Sequence, residues 1–545
     1  MEFSQLESIF NENYNKKYSN YIQYGTAGFR TTAHLLEHVL YRMGILAVLR
    51  SKMKNAAIGL MITASHNIGS DNGVKLVDPA GEMLEASWEL IATNLANVED
   101  SKLVSNVEQI IREQNINMSA TATVIVGRDT RESGPVLFNA AIAGIQALNG
   151  TIKDFGVITT PQLHYLVVCT NNNKYGNATL HGYYEKISKS FKHIRQDKMN
   201  NGHYVAELSL DAANGVGAMA GKKFQEYLGT SLIINLYNDG NGELNHMCGA
   251  DYIKVKQVPP TNFSVETNVR CVSIDGDADR VIYFYVDENN KFHLLDGDRI
   301  ATLIAGYFKE LLQELNSFID LFHLGLVQTA YANGGSTNYI SNILQIPVVC
   351  APTGVKHLHN EALKFEIGVY FEANGHGTVL FKDIVIETLK NATTNPNLTA
   401  SQTAAASTLL NIIDVINQSV GDAFSDMLLV ETILHAKGWS IIDWEKSYKD
   451  LPNKQLLIKV NDKNVITTTD AERRCVSPKG LQDEIDRVVL QYSKGRSFVR
   501  PSGTENVVRV YAECEDPNDL NKFITAVALL VHRHAGGVGP EPQLS

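Results

Sequence analysis

Residues 57–75 read Ala57-Ile-Gly-Leu-Met-Ile62-Thr63-Ala-Ser-His-Asn-Ile-Gly-Ser-Asp-Asn-Gly-Val-Lys75. The six apolar residues at the start have the character of a buried strand ending at Thr63, and a loop dense in small polar residues follows. Ser65 therefore stands at a strand exit, where backbone N–H groups converge readily on a phosphate. A serine so placed is a candidate phosphate carrier.

Two further loops supply what such a serine needs. Asp275-Gly-Asp-Ala-Asp-Arg280 sets three carboxylates within five residues, between the apolar runs 271–274 and 281–286. Carboxylates this close repel one another, and all-oxygen ligation suits Mg²⁺, which keeps positions open for water or phosphate. An EF-hand is excluded, since its sixth position would be Arg280 instead of Gly and its twelfth Val286 instead of Glu. Arg500-Pro-Ser-Gly-Thr-Glu505 offers a guanidinium, two hydroxyls and a glycine that admits an anion close to the backbone. Arg509, on the next predicted strand, adds a second charge to this phosphate cradle.

Other loops carry weaker signals. Gly25-Thr-Ala-Gly-Phe-Arg30 and Gly127-Arg-Asp-Thr-Arg131 place arginines in glycine-flanked turns, each compatible with a turn bearing a surface salt bridge. Phe371-Glu-Ala-Asn-Gly-His-Gly377 combines carboxylate, amide and imidazole, the mixture that reads sugar hydroxyls and amides. Thr353-Gly-Val-Lys-His357 has similar loop character.

With 545 residues the chain exceeds a single core, and the length prior is roughly three or four domains. Its 44% hydrophobic and 20% charged residues are those of an ordinary globular protein, and a formal charge of −11 argues against non-specific nucleic-acid binding. Residues 1–7 show no signal-peptide pattern, and no apolar run approaches the roughly 20 residues of a spanning helix. The expectation is a cytoplasmic protein without membrane or nucleic-acid partners. Six cysteines without a Cys-x-x-Cys pair read as reduced core thiols.

Strand-like and helix-like runs alternate along most of the chain, which favours α/β architecture. Leu35, Leu36, Val39, Leu40, Met43 and Leu46 recur at helical spacing, as do Ile300, Leu303, Ile304, Phe308 and Leu311. A polar, Lys-rich stretch near residue 180 marks a first boundary. The low-complexity stretch 391–407 reads as a loop or a helix lead-in. The C-terminal part reads strand (455–460), helix (481–492), strand (498–500), strand (507–512), helix (520–535), a small α+β domain. No internal repeat is obvious, though three successive α/β units suit duplication with drift.

Taken in order, these loops resemble the α-D-phosphohexomutase superfamily over nearly the whole chain. In most of that superfamily the Gly-Arg-Asp loop precedes the serine loop. Here Ser65 precedes Arg128, a trait of the branch that acts on acetylglucosamine phosphates. The resemblance implies a four-domain architecture around a central cleft, divided at 1–180, 181–297, 298–445 and 446–545. Three of these are mixed α/β domains, the first rearranged, and the fourth is α+β.

It also implies the chemistry. Ser65 carries a phosphoryl group and joins Asp275, Asp277 and Asp279 in binding Mg²⁺. Arg500, Pro501, Ser502, Gly503, Thr504 and Arg509 hold the substrate phosphate, while Thr353, Gly354, Glu372, Ala373, Asn374 and His376 read the sugar. N-acetylglucosamine 6-phosphate becomes the 1-phosphate through a hexose 1,6-bisphosphate, which also serves as primer, on the way to UDP-N-acetylglucosamine. Lys75 matches the superfamily's acid/base, with burial beside other cations expected to lower its pKa. Arg30 stabilises charge, His66 orients the loop or is structural, and Arg280 lies near the phosphoserine. A monomer is the expectation. The rival readings are a phosphoglucomutase or phosphomannomutase acting on non-acetylated hexoses and, from another class, a non-catalytic sugar-phosphate sensor. Ile68 departs from the family's proline after Ser-His-Asn, which predicts a loop that holds but positions Ser65 more loosely.

Overall fold

The computed structural model describes residues 10–196, 198–316, 322–502 and 506–543. Residues 1–7, read above for a signal peptide, lie outside them, as do Gly503 and Thr504 of the phosphate cradle. The alternating runs become three mixed α/β sheets and a C-terminal α+β sheet.

The first sheet contains β1 (Phe29–Thr32), β2 (Ile58–Ile62), β3 (Asp71–Val77), β4 (Thr123–Arg128) and β5 (Thr151–Val157), ordered β1-β3-β2-β4-β5. The second contains β6 (Glu207–Asp211), β7 (Ile233–Tyr237), β8 (Cys271–Ile274), β9 (Val281–Val286) and β10 (Phe292–Leu295), ordered β10-β9-β8-β6-β7. In the third, β11 (Leu324–Thr329), β12 (Val348–Ala351), β13 (Ile367–Phe371) and β14 (Gly377–Phe381) are ordered β12-β11-β13-β14.

These sheets share one plan. In each, a central strand (β2, β8 or β13) has a parallel strand on one side and then a second parallel strand beyond it. On its other side lies the strand that follows it in sequence, β3, β9 or β14. The first two sheets add an antiparallel edge strand, β1 or β10. In the second and third sheets the two outer parallel strands come first in the chain, whereas in the first sheet they come last. This is the rearrangement expected from Ser65 preceding Arg128, and it reveals the repeat that drift conceals in the sequence.

The last sheet, β15-β19-β18, is built from β15 (Asn453–Lys459), β18 (Arg496–Pro501) and β19 (Val507–Glu513) and is antiparallel. The helices Leu481–Val489 and Leu520–His534 accompany it, as the reading of this region expects. A two-stranded hairpin of β16 (Thr467–Thr469) and β17 (Arg474–Ser477) has no counterpart in that reading.

Three local differences have physical causes. Lys75 belongs to β3 rather than to a loop; the strand is masked in sequence because its polar residues Asn72 and Lys75 are buried. The Lys-rich stretch near 180 is an amphipathic helix, Leu180–Arg195, that buries Tyr183, Tyr184, Ile187 and Phe191. Within 391–407, one helix ends at Thr393 and the next begins at Ala400.

By packing, the chain divides into two compact units. One contains residues 1–296, 374–378 and 407–441, the other 297–373, 379–406 and 442–545. All six cysteines are free, and five of them are buried. Among the described residues no helix is long and apolar enough to cross a membrane.

In the first unit the expected helix, Glu37–Lys54, is almost wholly buried and packs against the helix Gly134–Ala147. A Cβ on Gly44 would strike the Ala141 carbonyl, and one on Gly144 would strike the Tyr41 carbonyl. Helix propensity alone favours Ala over Gly by about 1 kcal/mol. Overpacking here outweighs it, so Gly144→Ala is expected to lower stability by about 1–3 kcal/mol in urea unfolding, with the slope unchanged.

Candidate active site

In the first unit, β2 and β8 hold equivalent places in their sheets, and each runs into a chemistry-bearing loop. Ser65 follows β2 and is fully buried, with φ of 54°, a left-handed conformation that L-residues seldom adopt outside strained, over-determined sites. Its amide donates to Thr63 Oγ1 at 2.9 Å, and Thr63 Oγ1 donates to Asp129 Oδ2 at 2.6 Å.

Arg131 fills the loop from inside. Its Nη1 donates to the carbonyls of Ile68 and Asp71 at 2.5 and 2.7 Å, and its Nη2 to those of Ser65 and Asn67 at 3.0 and 2.9 Å. Its Nε pairs with Asp129 at 2.9 Å, and both side chains are fully buried. Asn245 donates from outside to the Ser65 and Asn67 carbonyls at 2.8 and 2.9 Å. Gly276 lets the second loop approach, since a Cβ there would lie 2.7 Å from the Ser65 carbonyl oxygen. Ile68 is 55% exposed and packs little, so the loop is held by its carbonyls without needing a proline at that place.

Ser65 Oγ donates to Asp275 Oδ2 at 2.7 Å. Asp275 Oδ1 accepts from the amides of Asp279 and Arg280 at 3.0 and 3.2 Å, closing the loop on itself. Asp275, Asp277 and Asp279 are all buried, with one ligand oxygen from each lying within 4.8 Å of the others. Burial, and then the neighbouring Asp279 and Asp277, drive the Asp275 carboxyl well above the usual carboxylate range. Among the described residues Asp277 Oδ1 and Asp279 Oδ1 are buried and accept no hydrogen bond, His376 Nδ1 lying 3.4 Å from Asp279 Oδ1. Such crowding and two unsatisfied carboxylate oxygens fit an octahedral, oxygen-liganded divalent cation such as Mg²⁺.

Cationic groups surround the trio. Lys75 Nζ donates to Asp277 Oδ2 and Asp279 Oδ2 at 3.1 and 3.2 Å. Burial alone would lower its pKa, but the two carboxylates outweigh burial and raise it. The expected depression is therefore reversed in this arrangement, because its neighbours are anions. Thr160, first residue of the helix Thr160–Asn171, donates through Oγ1 to Asp277 Oδ2 at 2.6 Å, so the helix N-terminus adds its partial positive charge.

Arg280 Nη1 pairs with Asp251 at 2.7 Å, while its Nε lies 3.9 Å from Asp275 Oδ2. Arg30 Nη1 is 3.5 Å from His66 Nδ1, which is itself 3.5 Å from Ser65 Oγ. Burial and then Arg280 push the His66 imidazole down to about 3, so it is neutral near pH 7. His376 is buried, and its Nδ1 lies 2.7 Å from the Asp279 carbonyl oxygen, so that nitrogen carries the proton and steadies the aspartate loop. The neighbouring Asn374 accepts from the His376 amide at 3.0 Å.

The second unit carries the remaining candidates. Arg500 and Arg509 are directly opposed across β18 and β19, which puts their charges on one face. Pro501 opposes Val508, and the Ser502 amide donates to the Val507 carbonyl at 2.9 Å. The Gly354 amide donates to Glu372 at 3.2 Å, joining the two predicted sugar-reading loops, and Ala373 follows directly. Thr353 and Arg500 are both hydrogen-bonded to Glu472.

Sequence reasoning thus found the residues around Ser65 and the aspartates, which the structure brings together in the first unit. Thr160, Asn245, Asp251 and Glu472 stand in no distinctive motif and carry no sequence signal for the site, and Arg131 reads from sequence as a turn residue. The carbonyl-filling role of Arg131 has no sequence signal beyond the motif that contains it.

Comparison with known proteins gives concordant matches. Residues 296–439 match the family model for phosphoacetylglucosamine mutase AMG1, domain III. Residues 458–530 match the C-terminal domain of phosphoglucomutase/phosphomannomutase, and 32–102 and 94–176 its alpha/beta/alpha domain I. The chain is 49% identical over 524 residues to phosphoacetylglucosamine mutase of Homo sapiens, covering 96% of each, and 42% identical over 553 residues to that of Saccharomyces cerevisiae, covering 97% and 98%. A solved N-acetylglucosamine-phosphate mutase in its substrate complex has a TM-score of 0.93 at 45% identity, covering 97% of this chain and 100% of that one. Aspergillus fumigatus N-acetylphosphoglucosamine mutase, solved with GlcNAc-6P and magnesium, has a TM-score of 0.93 at 45% identity, covering 97% and 99%.

Arg131→Lys keeps the charge but loses the planar fork that reaches four carbonyls. Hydrogen exchange is expected to accelerate in residues 65–71, with little change in the strands around them. Unchanged protection there would show that the loop is held by other contacts.

Proposed function

The chain belongs to the phosphoacetylglucosamine mutase family, and on that premise we propose how its own residues interconvert N-acetylglucosamine 6-phosphate and N-acetylglucosamine 1-phosphate. The observation that carries the reading is Ser65 Oγ at 2.7 Å from Asp275, on the edge of a buried carboxylate trio. Asp275, Asp277 and Asp279 hold Mg²⁺, and Ser65 is the phosphoryl carrier. When bound, Mg²⁺ neutralises the roughly two negative charges of the phosphoserine.

Phosphoryl transfer depends chiefly on positioning and charge stabilisation. The P–Oγ bond of Ser65 breaks as a bond forms from phosphorus to O1 of the 6-phosphate sugar, giving the 1,6-bisphosphate. O1 loses its proton and Ser65 Oγ regains one. Lys75 is assigned to this exchange, supported by its place beside Asp277 and Asp279. After the bisphosphate turns round, its 6-phosphate returns to Ser65 and the 1-phosphate leaves. Arg30 and Arg280 stabilise charge near Ser65, and His66, neutral near pH 7, steadies its loop.

Arg500, Ser502, Gly503, Thr504 and Arg509, with Pro501 shaping the turn, take the phosphate of either orientation; the opposed pair Arg500 and Arg509 supports this. Thr353, Gly354, Glu372, Ala373, Asn374 and His376 form the sugar-reading set. The four-domain division at 180, 297 and 445 belongs to the same reading, supported by the four main sheets. So does a cytosolic place supplying UDP-N-acetylglucosamine synthesis, supported by six free cysteines.

Ser65→Ala is expected to abolish formation of N-acetylglucosamine 1-phosphate in the presence of Mg²⁺ and a bisphosphate primer, while Mg²⁺ binding by calorimetry weakens but persists through the three aspartates. Undiminished turnover would remove the phosphoserine. Wild-type kcat/KM is expected to favour the acetylated over the plain hexose phosphate, and Glu372→Ala to narrow that preference by about tenfold or more.

A further inference from the structure

The turn between β16 and β17 is unusual. Asp470, Ala471 and Glu472 are consecutive non-glycine residues with φ of 53°, 52° and 69°. Left-handed L-residues normally occur singly and are most often Gly, Asn or Asp, so three in a row persist only where the surroundings over-determine them. What this turn delivers is the Glu472 carboxylate. Its Oε1 accepts from Arg500 Nε at 2.7 Å, and its Oε2 accepts from both the Thr353 amide at 3.0 Å and the Thr353 hydroxyl at 2.5 Å. The Glu472 and Arg500 side chains are only 17% and 18% exposed, so this pair is screened little by solvent.

We propose that Glu472 is a positioning residue that fixes Arg500 and Thr353 relative to each other before a sugar phosphate arrives. The proposal rests on the assignment of Arg500 and Thr353 to substrate binding. One carboxylate oxygen serves each loop, so neither loop moves without straining the other. Glu472 takes the Nε edge of the guanidinium, and Tyr331 also lies against Arg500, so the guanidinium is held from two sides. No substrate atom needs to touch Glu472 for it to act.

A different role would have the opposite sign. If Glu472 were merely an anion occupying the cradle, its removal would free Arg500 and tighten substrate binding. If it positions the loops, removal loosens them and weakens binding, because misplacement of a binding group is costly.

Steady-state kinetics with N-acetylglucosamine 6-phosphate separate these cases. Glu472→Ala is expected to raise KM by about tenfold or more while changing kcat much less. Glu472→Gln, which keeps acceptor capacity at one end but not at both, is expected to fall between Ala and wild type. Hydrogen-exchange protection of β15, β18 and β19, in the same unit as Glu472, is expected to be unchanged in both variants, which separates positioning from loss of fold. In an Arg500→Ala background, Glu472→Ala is expected to add less than it does alone. An unchanged or lowered KM for Glu472→Ala, with Arg500→Ala raising KM, would overturn the proposal and leave the substrate assignment standing. If Arg500→Ala itself left KM unaltered, the substrate assignment would fail, and Glu472 would have nothing to position.

Discussion

Three carboxylates buried within 4.8 Å of one another are the constraint from which the first unit is built. In a low-dielectric interior such a group is tolerated only with compensating charge. The surroundings supply it from separate elements: Lys75 from β3, Thr160 from a helix N-terminus, Arg280 from the loop itself. Even so, Asp275 is driven toward its protonated form, and two oxygens accept no hydrogen bond among the described residues. A divalent cation resolves both. Lys75 donates to two of these carboxylates, Asp277 and Asp279, which on the proposed reading also receive the metal.

The shared strand order explains why the chemistry sits where it does. The loops leaving β2, β8 and β13 occupy one topological place in three sheets, and they carry Ser65, the aspartates and the Glu372–His376 segment respectively. Each contains one residue with positive φ: Ser65, Ala278 or Gly375. Three loops of different residues leave the same place in one plan, and they are the ones proposed above as nucleophile, metal and sugar-reading loops. The first sheet differs only in the chain position of its outer parallel pair, which puts β4 and Arg131 after the serine loop that Arg131 fills.

Much of this was legible in the residues alone, because phosphate and metal chemistry demand unusual clusters: three aspartates in five residues, or Arg-Pro-Ser-Gly-Thr-Glu. Buried strands such as 57–62 and the C-terminal α+β unit were legible from apolar pattern. Lys75 was placed in a loop because a strand whose polar residues face a site lacks the alternation that marks strands. The sign of its pKa shift depended on which charges face it, a tertiary fact. Glu472 escaped because its role arises from three left-handed residues and two distant partners, and Asp-Ala-Glu carries no turn signature. At Ile68 the expected looseness meets six hydrogen bonds from Arg131 and Asn245 to loop carbonyls, which hold the loop in place of proline rigidity.

Ser65, at the edge of the carboxylate trio, is proposed as the group that carries the phosphoryl. Intact-mass and peptide mass spectrometry of the full chain, after incubation with Mg²⁺ and glucose 1,6-bisphosphate, tests it most directly. A single added phosphoryl group is expected on Ser65 and none on the Ser65→Ala variant. A phosphoryl group on another residue, or equal labelling of the Ser65→Ala variant, would contradict it.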